Sequence, residues 1–542
     1  MASGLLRASA VMASGTVVSR VLGLGKMLLL AYAIGSVGSR SADAFSIGME
    51  LANWVYFLLI GGMLNAVLVP QIVRAAKDPD GGHGYINKLF TLVAVVLFGI
   101  TLIAVIAAPF IVFINQVQWP AEQLALATAF AYWCMPQILF YGLYVVMGEV
   151  LNARNVFGPY TWAPVINNVV GIAGLVAFIL VFGADPNGLR TEIDWTGASI
   201  AVLAGSATIG VAVQALILFI PWRRAGIRYR PDFAWRGMGL GRTVRIATWS
   251  FAALVVAQVA TLVNNNVIGL GTGAGPSNSA LQNAAMVFMV PHSVIAVSLA
   301  TAYFTRLSHS AHDGDMGAFR QDFSASIRNI MTVMMMFLVM LFVTAPFISR
   351  VINFGASPER VEQFWPVLQA YLVSLVAFSC YFVTQRAFYA LSDTKTPFYI
   401  VLVSQSLMVC LALALPFVFQ VPARYIGVSF AAVWSVAQMF SVVLSLVLLR
   451  RKISFIDGRR ILASALRAVS AAVPALAIGL GATLWIRIVV DEVGVGLALL
   501  STVGIGIVVA LVYLGVLRLL RSPELEALVG RLVKRGAADT AE

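Results

Sequence analysis

The sequence predicts an all-α, polytopic membrane protein of about fourteen transmembrane helices, and three observations carry that prediction. Hydrophobic residues make up 60 % of the 542 residues and charged residues only 11 %, against roughly 25 % charged in a soluble domain. Mean hydropathy is +0.91. The apolar residues fall in blocks long enough to cross a bilayer as a helix, about 20 residues each, with short polar turns between them.

In chain order the expected spans are 8–36, 43–73, 88–114, 122–151, 160–183, 196–221, 243–270, 279–305, 327–349, 362–391, 396–419, 424–449, 462–486 and 493–519. The first is rich in small residues and is read as a span, not a removed signal peptide, because no uninterrupted apolar stretch precedes a cleavage site. It carries Arg20 and Lys26, and a cation at bilayer depth costs at least a few kcal/mol. Six residues of helix set the two about 120° apart and about 9 Å along the axis. They can line one broad cavity, particularly if Gly23 and Gly25 loosen the helix between them. Alternatively, the span begins late and both side chains snorkel to the headgroups. The second span holds Asp43 and Glu50, seven apart and almost in line on one face, with Asn53 a turn further on. Asp43 also suits a helix-capping role in "SADAF". A cluster of Arg20, Lys26 and Glu50 would let the cations pair in the absence of substrate.

The fourth span ends in "GEVLNAR" (148–154) and the tenth in "QRAFYAL" (385–391). Setting Glu149 over Arg386 suggests a parallel six-helix repeat, a plan in which substrate binds between the halves. For both residues an interfacial structural role competes with a role in transport. The seventh span contains "VNNNVIG" (263–269), which reads as hydrogen bonds between helices or as contacts to an ion or substrate. His292, after Pro291 in the eighth, reads as a packing residue. The longest connections, near 222–242 and 306–326, are about twenty residues, and "HSAHDGD" (309–315) within the latter reads as a solvated loop. "GLGTGAGPSN" (269–278) joins two spans and follows no strand, so it is not a dinucleotide fingerprint.

The organisation that follows is an N-terminal six-helix lobe (1–225), a C-terminal six-helix lobe (226–455), a two-helix extension (456–520) and a tail (521–542). The net charge of +13 resides in loops beside apolar segments, which excludes nucleic-acid binding and sets orientation instead. Residues 222–245 carry seven arginines, residues 450–460 carry five basic residues, and the stretch after Tyr513 adds Arg518, Arg521, Arg531, Lys534 and Arg535. All fall on the side of the N-terminus, so both termini are expected in the cytoplasm. Cys134, Cys380 and Cys410 lie in apolar runs without paired spacing and read as small core hydrophobes. No cofactor, metal site or enzymatic constellation is expected.

Several stretches resemble the MurJ/MviN family of lipid II flippases, in the multidrug/oligosaccharidyl-lipid/polysaccharide exporter superfamily. They are "SRVLG" (19–23) with "DAF" (43–45), "MPQILFYGLYVVMGEVLNARNVFGPYTWAPVINN" (135–168), "GIRYRPDFAWR" (226–236) and "RAFYALSDTKTP" (386–397). The resemblance implies a flippase in the bacterial cell membrane that moves lipid II, an undecaprenyl-pyrophosphate-linked peptidoglycan precursor, from inner to outer leaflet. It implies membrane lipids and cell-wall synthesis proteins as further partners. Arg20 matches a family arginine facing the pyrophosphate, and Lys26 stands where a second arginine is usual, keeping the charge but losing the bidentate fork. Asp43 matches a family aspartate, and the two extra helices imply a groove for the polyprenyl tail.

On this reading Arg20, Lys26 and Asn53 bind the headgroup, and Asp43, Glu50, Glu149 and Arg386 gate or form ion pairs. The chain departs from the family at Tyr56, Phe57 and Met286, where arginines are usual, and at Glu50, where a basic or neutral residue is common. The acidic residues of the family's proposed sodium site in the seventh span have no counterpart within 246–270. A less basic cavity leaves two further readings: an exporter of another polyprenyl-linked glycan or of cationic drugs, and a non-transporting cell-wall scaffold.

Overall fold

The computed structural model describes residues 2–59, 75, 80–154, 156–235 and 240–526; the side chains of 2–10, 13, 55–59 and 240–247 fall outside that description. The expected second half of span two, the side chains of Tyr56 and Phe57, and the tail beyond 526 therefore lie outside the described residues. Among those described, thirteen helices are long and apolar enough to cross a membrane, and the start of span two is a helix as well.

In chain order the helices are α1 (Ala2–Ile34), α2 (Arg40–Leu59), α3 (His83–Ile106), α4 (Ala121–Ala153), α5 (Gly158–Phe182), α6 (Gly197–Arg224), α7 (Leu240–Gly269), α8 (Asn278–His312), α9 (Met316–Ile352), α10 (Pro358–Ala390), α11 (Lys395–Phe417), α12 (Ala423–Ile453), α13 (Gly458–Val489) and α14 (Val495–Leu519). The order is that of the fourteen expected spans. A short helix, Ala108–Asn115, continues α3 after a break at Ala107, where Pro109 removes a backbone donor.

The chain forms two compact units, Met1–Ser279 and Ala280–Glu542. In the first, α1 and α6 pack on α5, and α2 and α3 pack on α4. The turn from α1 into α2 is tight because Gly35, at φ 80°, lies against the backbone of Gly188, where a Cβ would come within 2.9 Å of its Cα. In the second, α9 packs against α10, α13 and α14, and α12 packs on α10 and α11.

The connection expected over 306–326 is almost entirely helical. α8 runs through His312 and α9 begins at Met316, so His309 and His312 occupy the last turn of a helix and not a solvated loop. Gly314, at φ 73°, makes the reversal. Asp315 caps α9 by accepting from Ala318 N at 2.9 Å. An Arg306–Asp322 ion pair at 2.5 Å braces the two helices. Apolar length alone located the bilayer segment but missed these polar helical extensions beyond it.

Just past α14, the Glu524 side chain is only 2 % exposed and pairs with Arg328 of α9 at 2.6 Å and Arg467 of α13 at 3.8 Å. Burial pushes this carboxyl up, but its own backbone N–H, Ser522 and Arg328 outweigh that and hold it below the ordinary glutamate value. A depressed carboxylate contributes stability that is present above its unfolded pKa of about 4.3 and is lost as pH falls through the lower, folded value. Glu524→Gln is therefore expected to cost about 2 kcal/mol at neutral pH. Thermal unfolding of purified protein should show its deficit against wild type closing as the solution is acidified below pH ~4.

Candidate functional site

α1 is continuous helix through Gly23 and Gly25, so the helix does not loosen between the two cations and they keep their angular separation. The helix lies along α5. Trp162 Nε1 donates to Val11 O at 3.2 Å, and Asn168 Nδ2 donates to Ser19 O at 2.8 Å. One turn deeper, the end of the Lys26 side chain rests where a Cβ on Gly171 would stand, 2.7 Å from its Cε. Arg20 and Lys26 are both half-buried. A glycine at 171 is what lets the lysine stem pass α5, so the position of that cation depends on a residue in another span.

Asp43 is 1 % exposed in the first turn of α2. The capping role belongs to Ser39, whose Oγ accepts from Ala42 N at 3.1 Å and donates to Ile34 O at 2.7 Å. Asp43 reaches instead to the residue just past the glycine-rich turn, accepting from Ser279 N at 2.8 Å. Ser277 of that turn donates to Ile268 O at 3.0 Å, and its hydroxyl meets that of Thr272 at 2.9 Å. The glycine-rich connection is thus a compact hydrogen-bonded turn held by a carboxylate.

Glu50, half-buried, accepts from Trp54 Nε1 at 3.2 Å and from Asn265 Nδ2 at 3.4 Å. Asn265 Nδ2 also donates to Asn115 Oδ1 at 3.3 Å. Beside it Asn266 Nδ2 donates to Ile114 O at 2.8 Å, Asn266 Oδ1 accepts from Val117 N at 2.8 Å, and Gln116 Nε2 donates to Asn265 O at 3.0 Å. Two of the three asparagines of "VNNNVIG" therefore stitch α7 to the end of the helix Ala108–Asn115, and one of them also reaches Glu50. Asn115 and Gln116 were not singled out from the sequence, although two amides inside the apolar run "FIVFINQV" are the signal that could have found them. Asn53 is half-buried on α2, one turn beyond Glu50.

Glu149 is half-buried near the end of α4 and hydrogen-bonds within its own helix to Asn152. The preceding Gly148 faces the ring of Tyr160, which stacks on Tyr144 at 4.9 Å between centroids. That end of α4 is a close-packed helix junction. Arg386, in the second unit, lies over the rings of Phe382 and Phe304 at 4.7 and 5.5 Å, a cation–π arrangement. His292 is buried, hydrogen-bonds Ser379 Oγ at 3.0 Å and meets Phe378 edge-on, as a packing residue should. Met286 is exposed on α8.

The family model described as "Lipid II flippase MurJ" matches residues 30–504. The chain belongs to the MurJ family. The matched stretch contains Asp43, Glu50, Asn53, Glu149 and Arg386, and begins after Arg20 and Lys26. Among MurJ relatives, the probable lipid II flippase of Rhizobium meliloti (strain 1021) is 26 % identical over 428 residues, 76 % of this chain and 75 % of that protein. That of Thermotoga maritima is 24 % identical over 405 residues, covering 74 % and 78 %. Among solved structures, a lipid II flippase MurJ in an inward closed conformation matches with a TM-score of 0.71 at 19 % identity, covering 93 % of this chain and 97 % of that one. An inward-facing multidrug resistance MATE family transporter of the MOP superfamily matches at 0.63 and 15 % identity, covering 82 % and 98 %. At these identities the structural likenesses establish a shared all-helical fold.

Proposed function

We propose that this chain is a lipid II flippase, carrying the undecaprenyl-pyrophosphate-linked disaccharide-pentapeptide from the inner to the outer leaflet of a bacterial cytoplasmic membrane by alternating access. The observation that carries the reading is the MurJ family match over residues 30–504. The chemistry of α1 supports it. Two cations in a bilayer-spanning helix are costly unless a counter-charge meets them, and a pyrophosphate crossing the membrane is such a counter-charge. We assign Arg20, Lys26 and Asn53 to the headgroup, Asp43 and Glu50 to gating, and Glu149 and Arg386 to the cytoplasmic helix ends.

The polyprenyl tail is assigned to the C-terminal pair α13–α14. Leu462, Leu466, Val469 and Val473 of α13 are all exposed and recur at helical spacing, which gives a continuous apolar stripe. Both termini are placed in the cytoplasm on the basic side of the chain. The test is rescue of bacteria depleted of their own lipid II flippase, with outer-leaflet lipid II read by its exposure to an external reagent. Growth and exposure restored by well-expressed protein are expected. Lipid II retained inside, under conditions where a MurJ from the same source organism's close relative rescues, would reject the reading.

A further inference from the structure

The structure assigns a binding site for a basic amino acid, free or within a peptide, to a cavity at the end of α9. The cavity, about 250 Å³, lies where α9 ends, α10 begins and α13 turns into α14. It is formed wholly within the second unit, at the opposite end of α13 from the basic 450–460 connection. It is smaller than the roughly 300–1,000 Å³ pockets that take drug-sized ligands, a size that matches one amino-acid residue. Pro346, Phe347, Pro358 and Val361 make its apolar wall, and its charged lining is Arg350, Glu362, Arg487, Asp491 and Glu492.

Some of these charges are already matched and some are not. Glu362 Oε1 accepts from Arg487 Nη2 at 2.8 Å, and its Oε2 accepts from Trp365 Nε1 at 2.9 Å, so Glu362 and Arg487 neutralise each other. Arg350 is half-buried. It donates from Nε to Val493 O at 3.1 Å and from Nη1 to Ala356 O at 3.0 Å. Those bonds fix the guanidinium between the α9–α10 connection and the α13–α14 turn. A guanidinium has five N–H donors, and among the described residues Arg350 Nη2 meets no acceptor. Arg350 can therefore take a carboxylate from the cavity without giving up either backbone bond. Asp491 and Glu492 are exposed and form no ion pair or hydrogen bond among the described residues. One cation and two anions remain uncommitted, an excess of one negative charge. The complement is a ligand with one carboxylate, two ammonium groups and an aliphatic stem to lie on the apolar wall. Lysine has that composition. A neutral amino acid leaves one carboxylate unmatched, and an acidic one brings a like charge against it.

The site is tested without lipid II, so the outcome is independent of the flippase reading. Full-length protein in detergent, at neutral pH and low salt, is titrated with L-lysine and binding is read by saturation-transfer NMR. Half-saturation is expected at a concentration roughly tenfold lower than for norleucine, which has the same stem without the second ammonium, or for glutamate. The double variant Asp491→Asn, Glu492→Gln changes two exposed side chains that hold no partner. It is expected to raise the half-saturating lysine concentration roughly tenfold at an unchanged unfolding temperature. The double variant Asp491→Lys, Glu492→Lys is expected to reverse the preference toward glutamate, a gain that misfolding cannot imitate. The tripeptide Ala-Lys-Ala separates the sources: tighter binding than free lysine marks a peptide ligand, and weaker binding a free amino acid. Absence of saturable lysine binding to wild type overturns the assignment. So does equal binding of norleucine, or lysine binding that is unchanged in Asp491→Asn, Glu492→Gln, which would leave the two carboxylates as solvated surface charges only.

Discussion

Arg20→Ala is expected to abolish rescue of flippase-depleted bacteria while leaving the amount of protein in the membrane unchanged. Arg20 is half-buried on a helix whose attachment to α5 runs through its neighbours, Asn168 to Ser19 and Trp162 to Val11, so truncation leaves those contacts in place. What is lost is one of the two cations of α1 that we assign to the crossing headgroup. Removing one partner of a desolvated, hydrogen-bonded charge pair costs about 2–3 kcal/mol or more, on the order of 30- to 150-fold in the population carried. Arg20→Lys should fall between wild type and alanine, because lysine keeps the charge but cannot form the planar two-point contact. The comparison with Glu50 separates the competing functions. An exporter of cations should tolerate neutral Arg20 and require Glu50, and a scaffold should tolerate both substitutions. Lipid II exposure, measured for Arg20→Ala, Arg20→Lys and Glu50→Gln at matched expression, ranks the three.

The arrangement of spans was legible because bilayer crossing imposes a length on apolar runs, and that length survives in the sequence whatever the helices pack against. Each departure came from polar residues whose partners an apolar-run reading does not reveal. "HSAHDGD" is a polar string, yet its first four residues are the last turn of α8 and its last, Asp315, caps α9. Asp43 resembles a cap by position, but Ser39 takes that role and Asp43 is committed to Ser279, 236 residues away. The candidate site divides the same way. Glu50 stood out because a carboxylate in an apolar span is costly. Asn115 did not, because an amide near the end of an apolar run costs far less, and nothing local shows that Asn265, 150 residues on, donates to it. Lys26 was visible as a charge, while the glycine that makes room for it, Gly171, lies in another span. Sequence periodicity reports which residues are expensive to bury, and only the fold reports where their partners are.

Asp43 offers the second large effect, and its two substitutions separate holding from gating. Asp43→Ala removes the acceptor of Ser279 N in a site that is 1 % exposed, leaving a buried N–H without a partner at a cost of about 1–3 kcal/mol. It is expected to lower both the unfolding temperature and rescue. Asp43→Asn keeps the shape and still offers a carbonyl oxygen to Ser279, so its unfolding temperature should stay close to wild type. The contact weakens, because a hydrogen bond to a carboxylate is roughly twice as strong as one to a neutral acceptor. If the clamp on the turn before α8 is one that transport must break and remake, a change of about 1 kcal/mol shifts the balance of its two states about fivefold. Lipid II exposure should then fall by a similar factor at unchanged protein level. Full transport by Asp43→Asn, together with the loss of stability in Asp43→Ala, would mean that Asp43 only fastens the turn. The carboxylate's charge, as distinct from its shape, would then have no part in gating.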